Sequence, residues 1–231
     1  MISFLLDADE TILDFVRSSK ESLTAAMREI GVPYKESRYD DYKRINDAVW
    51  REYEQGKLTK PALMRERFSR FFAQCGIKAD PDEANRVYFG YICRTGYLLD
   101  GAKEFLDALK ERGKVFLITN GNGTPAAQYG RLKAVGLENA FDGVYISDEI
   151  GYKKPDPRFF SYLIEKERLA KRDCLVIGDS LTSDIAGANG AGIECVWYAP
   201  SGKAPSGAKP NYIARSYAEV LRAADEWRAG R

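Results

Sequence analysis

The stretch Ile2-Ser3-Phe4-Leu5-Leu6-Asp7-Ala8-Asp9-Glu10-Thr11 closes a short apolar run on two carboxylates one residue apart. An apolar run of this length reads as a buried β-strand. A buried strand has no structural reason to end in paired acids with a third, Glu10, behind them. Residues two apart on an extended chain face the same side, so Asp7 and Asp9 point together.

Three later segments repeat the pattern of an apolar run ending in polar or glycine residues. They are Val115-Phe116-Leu117-Ile118 before Thr119-Asn120-Gly121, Gly143-Val144-Tyr145-Ile146 before Ser147-Asp148, and Cys174-Leu175-Val176-Ile177 before Gly178-Asp179-Ser180. A fifth run, Ile193-Glu194-Cys195-Val196-Trp197-Tyr198, follows. Stretches of helical period lie between them, at 102–111, 126–135 and 158–167. Short apolar runs alternating with helices predict βαβ units, hence an α/β fold with a Rossmann-like parallel sheet. Ligands of such sheets bind outside the carboxyl ends of the strands. Asp7, Asp9, Thr119, Asn120 and Asp179 all fall there.

Residues 14–97 differ in texture. They carry no comparable apolar run, but place Tyr39, Tyr42, Ile45, Val49 and Tyr53, then Leu63, Phe68, Phe71 and Phe72, at helical spacing. Gly31-Val32-Pro33 and Gly56-Lys57-Leu58-Thr59 read as breaks between helices. The segment is expected to be an all-helical insertion whose aromatic stripes form its own core. That leaves 1–13 and 98–231 as the α/β core, with a surface loop at 200–210 and a terminal amphipathic helix at 216–229.

Composition narrows the chemistry. The chain has 231 residues, 45% hydrophobic and 30% charged, the balance of a soluble globular protein. No stretch reaches the roughly 18 apolar residues of a membrane span, and the first strand starts too early to leave room for a cleavable signal peptide. A formal net charge of +1 gives no footprint for long nucleic acid, while small anionic ligands stay open. The absence of histidine excludes a histidine base, a phosphohistidine, a Ser-His-Asp triad and imidazole-ligated zinc. The four cysteines, Cys75, Cys93, Cys174 and Cys195, form no CxxC pair and read as reduced thiols of a cytoplasmic protein.

Asp7, Asp9 and Asp179 brought to one sheet edge need a cation, and a hard one such as Mg²⁺ takes oxygen ligands. Asp184 could add charge or orient those ligands from behind. Gly151-Tyr152-Lys153-Lys154-Pro155-Asp156-Pro157 offers lysines on a proline-stiffened path. Thr119-Asn120-Gly121 offers a hydroxyl and backbone N–H groups for an anion. Cation, lysine and anion cradle together suit phosphoryl transfer. With no histidine, the nucleophile would be a carboxylate that forms an aspartyl-phosphate, the second acid protonating the leaving oxygen and then activating water. Each piece alone has a plainer reading. Asp9-Glu10-Thr11 or Asp179-Ser180 could be helix caps, Lys153 a solvated loop charge, and Asp156 the cap of the helix that starts at Pro157.

Taken in order, the four segments resemble the haloacid dehalogenase superfamily of phosphotransferases over nearly the whole chain. Leu6-Asp7-Ala8-Asp9-Glu10-Thr11 is similar to its first motif, Leu117-Ile118-Thr119-Asn120-Gly121 to the second, Lys154-Pro155-Asp156-Pro157 to the third, and Val176-Ile177-Gly178-Asp179-Ser180 with Asp184 to the fourth. The insertion after the first motif is where that superfamily carries its C1-type cap. The resemblance implies Asp7 as nucleophile and Asp9 as general acid/base. It implies Mg²⁺ on the Asp7 carboxylate, the Asp9 main-chain carbonyl and Asp179, with Asp184 behind them. Thr119 and Asn120 would hold phosphoryl oxygens, and Lys154 would neutralise the nucleophile and the transferring group. Dehalogenases lack an acid at the position of Asp9, which argues against dehalogenation.

The superfamily commonly has glycine where this chain has Glu10. Ala8-Asp9-Glu10-Thr11, with Tyr42-Lys43-Arg44-Ile45-Asn46, Val49-Trp50-Arg51-Glu52-Tyr53 and Glu66-Arg67-Phe68, resembles the bacterial pyrimidine 5′-nucleotidase subgroup. That likeness implies a small phosphorylated metabolite, a pyrimidine nucleoside monophosphate, as substrate, with Asn46, Trp50 and Arg67 as candidate cap contacts. A sugar phosphate or phosphoglycolate is the alternative of the same chemistry. A non-catalytic binding module is the alternative of another class, and the presence of Asp7 and Lys154 speaks against it. Nothing in the sequence gives an oligomeric state.

Overall fold

The computed structural model describes residues 2–121, 124–202, 204–205 and 207–230. They form two compact units, one of residues 2–14, 98–121 and those from 137 onward, the other of 15–97 and 124–136. No described helix is long and apolar enough to cross a membrane.

The first unit is built on six strands: β1 (Ser3–Asp7), β2 (Lys114–Thr119), β3 (Gly143–Ile146), β4 (Cys174–Gly178), β5 (Glu194–Tyr198) and β6 (Tyr212–Ala214). All neighbours pair in parallel, in the order β3-β2-β1-β4-β5-β6. β1 runs wholly buried, with Phe4, Leu5 and Leu6 fully shielded from solvent. Shielding each such side chain contributes about 1.5–3 kcal/mol, which is why this run takes the centre of the sheet. The chain builds outward from β1 to β2 and β3, then returns to place β4 on the other side of β1. Strand order therefore reverses at β1, the switch point where open α/β sheets form their crevice. Register sets Leu6 level with Leu117 and Ile177, and Asp7 level with Ile118. One core cluster packs Leu5, Phe116, Ile118 and Val176 against Phe159, Phe160 and Leu163 of the helix Pro157–Lys166.

The five strands expected from the apolar runs are present. The sixth, β6, has three residues and no apolar run to announce it. Positions 203 and 206 of the expected surface loop lie outside the described residues. All four cysteines are free thiols, as their spacing suggested.

The second unit holds α1 (Phe15–Glu29), α2 (Tyr39–Glu54), α3 (Lys60–Cys75) and α4 (Pro81–Ile92). Thr59 starts α3 by accepting the Ala62 amide at 3.4 Å, with Pro61 in the first turn. The aromatic stripes are its interior: Tyr42 lies 5.5 Å from Phe68, 5.5 Å from Phe71 and 5.9 Å from Tyr88, ring centre to ring centre. The helix Pro125–Ala134 departs from expectation. It belongs to this unit and packs against α4 rather than serving only as a crossover on the sheet. Gly130 permits that approach, because a side-chain carbon there would overlap the Cys93 carbonyl.

Candidate active site

Asp7 is the last residue of β1, and Asp179 follows directly on β4. Asp184 reaches the same place by a single π-helical turn, Leu181–Ile185, in which the amides of Asp184 and Ile185 share the Ser180 carbonyl at 3.0 and 3.1 Å. The widened turn bends the Asp184 carboxylate back to accept the Ser180 amide at 3.1 Å. The carboxylate then fills the space beside Gly178, where any side-chain carbon would overlap it. One oxygen each from Asp7, Asp179 and Asp184 lie within 4.8 Å of one another.

Lys154 enters this cluster with 2% of its surface exposed. Its ammonium donates to Asp7 Oδ1 at 2.6 Å, to Asp184 Oδ1 at 2.7 Å and to the Ile118 carbonyl at 3.1 Å. Burial works against the charged ammonium, but Asp184 and Asp7 outweigh it and hold its pKa above the ordinary lysine range. The carboxylates move the opposite way. Asp7 is pushed up to about 7, by burial first and then by Asp184, against the opposing pull of Lys154. Burial, then Asp7 and Asp184, raises Asp179 well above the usual carboxylate range. One ammonium thus faces three carboxylates, and the excess negative charge is what a divalent cation with oxygen ligands would offset. The donor set fits Mg²⁺, and Asp7, Asp179 and Asp184 could hold such an ion. Asp9 adds a smaller like-charge effect on Asp7 and forms a backbone bridge to Leu13.

Of the two lysines, Lys154 is the one delivered to the cluster, and the segment at β2 is what delivers it. The Asn120 side chain accepts the Lys154 amide at 2.8 Å and donates to the Lys154 carbonyl at 2.9 Å. Thr119 Oγ1 accepts the Gly121 amide at 3.0 Å, and Ser147 donates to the Asn120 carbonyl at 2.9 Å. Thr119 and Asn120 read in the sequence as an anion cradle. In the fold the Asn120 amide is committed to bracing the lysine, while the Thr119 hydroxyl keeps its proton to donate. Asp156 caps its helix by accepting the Arg158 amide at 2.9 Å and takes no part in the cluster.

Several site contacts had no sequence signal. Thr11 donates to Asp7 Oδ2 at 3.3 Å, and Trp197 Nε1 donates to the Asp179 carbonyl at 2.7 Å. Thr11 sat inside the quoted motif without a role. Nothing in the apolar run of β5 distinguished Trp197 from a core residue. Glu10 adopts φ +58°, the left-handed conformation that favours glycine, which accounts for the glycine common at this position.

Asn46, Trp50 and Arg67 lie in the helical unit. Arg67 is 1% exposed, donates to Asn85 Oδ1 at 2.6 Å and lies over the Tyr88 ring at 4.8 Å. Asn46 is buried on α2, one turn after Tyr42. Trp50 is half-buried, with Lys60 Nζ 5.1 Å from its ring centre.

Residues 3–192 match the sequence model of the haloacid dehalogenase-like hydrolases, so the chain belongs to that family. Within it, the chain is 37% identical over 224 residues to pyrimidine 5′-nucleotidase PynA of Streptococcus pneumoniae, covering 96% of this chain and 94% of that protein. It is 30% identical to pyrimidine 5′-nucleotidase YjjG of Escherichia coli, covering 93% of each. Among solved structures, the HAD-hydrolase YfnB of Bacillus subtilis bound to magnesium superposes with a TM-score of 0.90 at 30% identity, over 97% of this chain and 98% of that one.

Proposed function

We propose that this hydrolase removes the phosphate from pyrimidine nucleoside 5′-monophosphates through an aspartyl-phosphate on Asp7. The observation that carries the chemistry is Lys154 bridging Asp7 and Asp184 at the carboxyl edge of β1, with Asp179 alongside. An Asp7 oxygen attacks phosphorus as the ester P–O bond breaks, and Asp9 gives its proton to the departing nucleoside oxygen. Asp9 then takes a proton from water, whose oxygen attacks the phosphorus of the aspartyl-phosphate, releasing inorganic phosphate and restoring Asp7. Lys154 opposes the upward shift of Asp7 and offsets charge on the phosphoryl oxygens, and the Thr119 hydroxyl donates to one of them. Asp7, Asp179 and the Asp9 carbonyl, with Asp184 behind, would hold Mg²⁺, which would supply further charge neutralisation for the phosphoryl group.

Choice of nucleoside is assigned to the helical unit, with Asn46, Trp50 and Arg67 as candidates. What supports the pyrimidine reading is the full-length likeness to proteins named as pyrimidine 5′-nucleotidases. The test is phosphate release with Mg²⁺ over a panel of nucleotides, sugar phosphates and phosphoglycolate, with Asp7→Asn as the blank. Preference for pyrimidine monophosphates supports the reading. Selectivity for a sugar phosphate keeps the mechanism and replaces the substrate, and an active Asp7→Asn removes the aspartyl-phosphate.

A further inference from the structure

The loop after β1 is wound tightly. The Ile12 and Leu13 amides both donate to the Ala8 carbonyl, at 3.0 and 2.9 Å, and the Glu10 amide donates to the Leu13 carbonyl at 2.8 Å. The Leu99 amide takes the Ile12 carbonyl at 3.0 Å. Glu10 holds a left-handed conformation rare for a residue with a side chain, so the loop depends on support from outside itself.

That support comes from a tyrosine 206 positions away: the Tyr217 hydroxyl donates to the Thr11 carbonyl at 2.8 Å. Thr11 is 1% exposed, so no solvent can replace this donor. The same Thr11 donates its hydroxyl to Asp7 Oδ2 at 3.3 Å. One residue therefore joins the phenol to the carboxylate.

Tyr217 is itself clamped. Its ring stacks between Phe105, at 4.3 Å and 10°, and Tyr198, at 5.1 Å and 8°. Burial raises the phenol well above its ordinary pKa, so it stays a donor. Tyr198 neighbours Trp197 on β5, and successive strand residues face opposite sides. Trp197 steadies the Asp179 carbonyl from one side while Tyr198 backs Tyr217 on the other. Trp197, Tyr198 and Tyr217 all lie beyond residue 192, where the family match ends.

We propose that Tyr217 is a positioning residue for the reaction, its stacked ring and hydroxyl fixing Thr11 so that Thr11 aims the Asp7 carboxylate. The inference rests on Asp7 as the nucleophile. Tyr217→Phe keeps the ring stack and removes only the hydroxyl. It should lower kcat about tenfold and leave KM within twofold, at a temperature where circular dichroism shows the variant folded. Thr11→Val should lower kcat in the same sense. Because the two act in series, Tyr217→Phe/Thr11→Val should be no slower than the slower single variant.

Tyr198→Leu loosens the stack and removes the hydroxyl that bonds the Tyr217 phenol, while Tyr217 keeps its own hydroxyl, and it should also lower kcat at constant KM. It serves as the test if Tyr217→Phe does not fold. Wild-type kcat in the folded variant overturns the proposal even if Tm falls, since that is a purely structural hydrogen bond. So does a change confined to KM, or single-variant losses that multiply. Asp7→Asn run alongside separates the two readings: turnover by Asp7→Asn overturns the site assignment. An inert Asp7→Asn with a fully active Tyr217→Phe overturns only the role of Tyr217.

Discussion

Lys154 Nζ lies 2.6 Å from Asp7 Oδ1 although 147 positions separate the two residues in the chain. The pair is buried, and its third member Asp184 is 2.7 Å from the same ammonium. Lys154→Met keeps most of the side-chain volume and removes the ammonium that both carboxylates share. Breaking one partner out of a buried ion pair costs roughly 3–5 kcal/mol. Tm without added metal should fall by on the order of 10 °C, and activity should fall below about 1%, because the transferring phosphoryl group loses a fixed positive charge. Calorimetry and phosphate release check both. A variant with wild-type Tm would mean that the carboxylates take up protons at no cost.

Asp179→Asn separates metal binding from folding. Burial, Asp7 and Asp184 all disfavour charge on Asp179. Removing that charge should therefore leave the metal-free Tm unchanged or raise it. In the unaltered protein, Mg²⁺ at a hundred times its Kd should add about 2.7 kcal/mol, a rise of roughly 5–10 °C. The Asn variant should show little of that rise in thermal melts with and without Mg²⁺, and should lose turnover. A full Mg²⁺-dependent rise in the variant would take Asp179 out of the ligand set.

Gly178→Ala tests how tightly the π-helical turn is seated. A methyl group at Gly178 overlaps the Asp184 carboxylate, which cannot retreat while it holds the Ser180 amide and Lys154. Overpacking of this kind costs about 1–3 kcal/mol. The loss of activity should exceed what that destabilisation explains, because Asp184 and Lys154 move together. Retained kcat in a variant with lowered Tm would separate the turn from the chemistry.

The sheet and its acidic edge were legible because each strand is an apolar run ending in polar residues, a pattern that survives without knowledge of partners. Asp7, Asp179 and Lys154 could be picked out by residue type and place in the chain. What Asn120 does could not, since its side chain bonds backbone atoms 34 positions away, and any polar residue after a strand reads as available for a ligand. Tyr217 and Trp197 were invisible for a similar reason: one begins an amphipathic helix and the other sits in an apolar strand. The hydrogen bonds they donate exist only once distant loops have folded. β6 lacked any signal, because three residues cannot display a period. The helix Pro125–Ala134 was placed with the sheet by chain order alone, whereas the close approach at Gly130 decides its packing.

Arg67 presents a charge that folding alone does not explain. The residue is 1% exposed, its guanidinium donates to the neutral Asn85, and its Nε has no partner among the described residues. The guanidinium also lies over the Phe68 and Tyr88 rings, 5.4 and 4.8 Å from their centres. A buried cation without a carboxylate is expensive, and replacing such a group by an apolar side chain of similar volume is often neutral or stabilising by about 1–4 kcal/mol. Arg67→Met should therefore leave Tm unchanged or raise it by several degrees in calorimetry. If the charge is kept for substrate, the same variant should raise KM for a pyrimidine monophosphate about tenfold or more while Mg²⁺ still raises its Tm normally. A Tm that falls steeply with KM unchanged would make Arg67 a structural residue held by Asn85 and the two rings, and would remove it from the candidates for nucleoside choice.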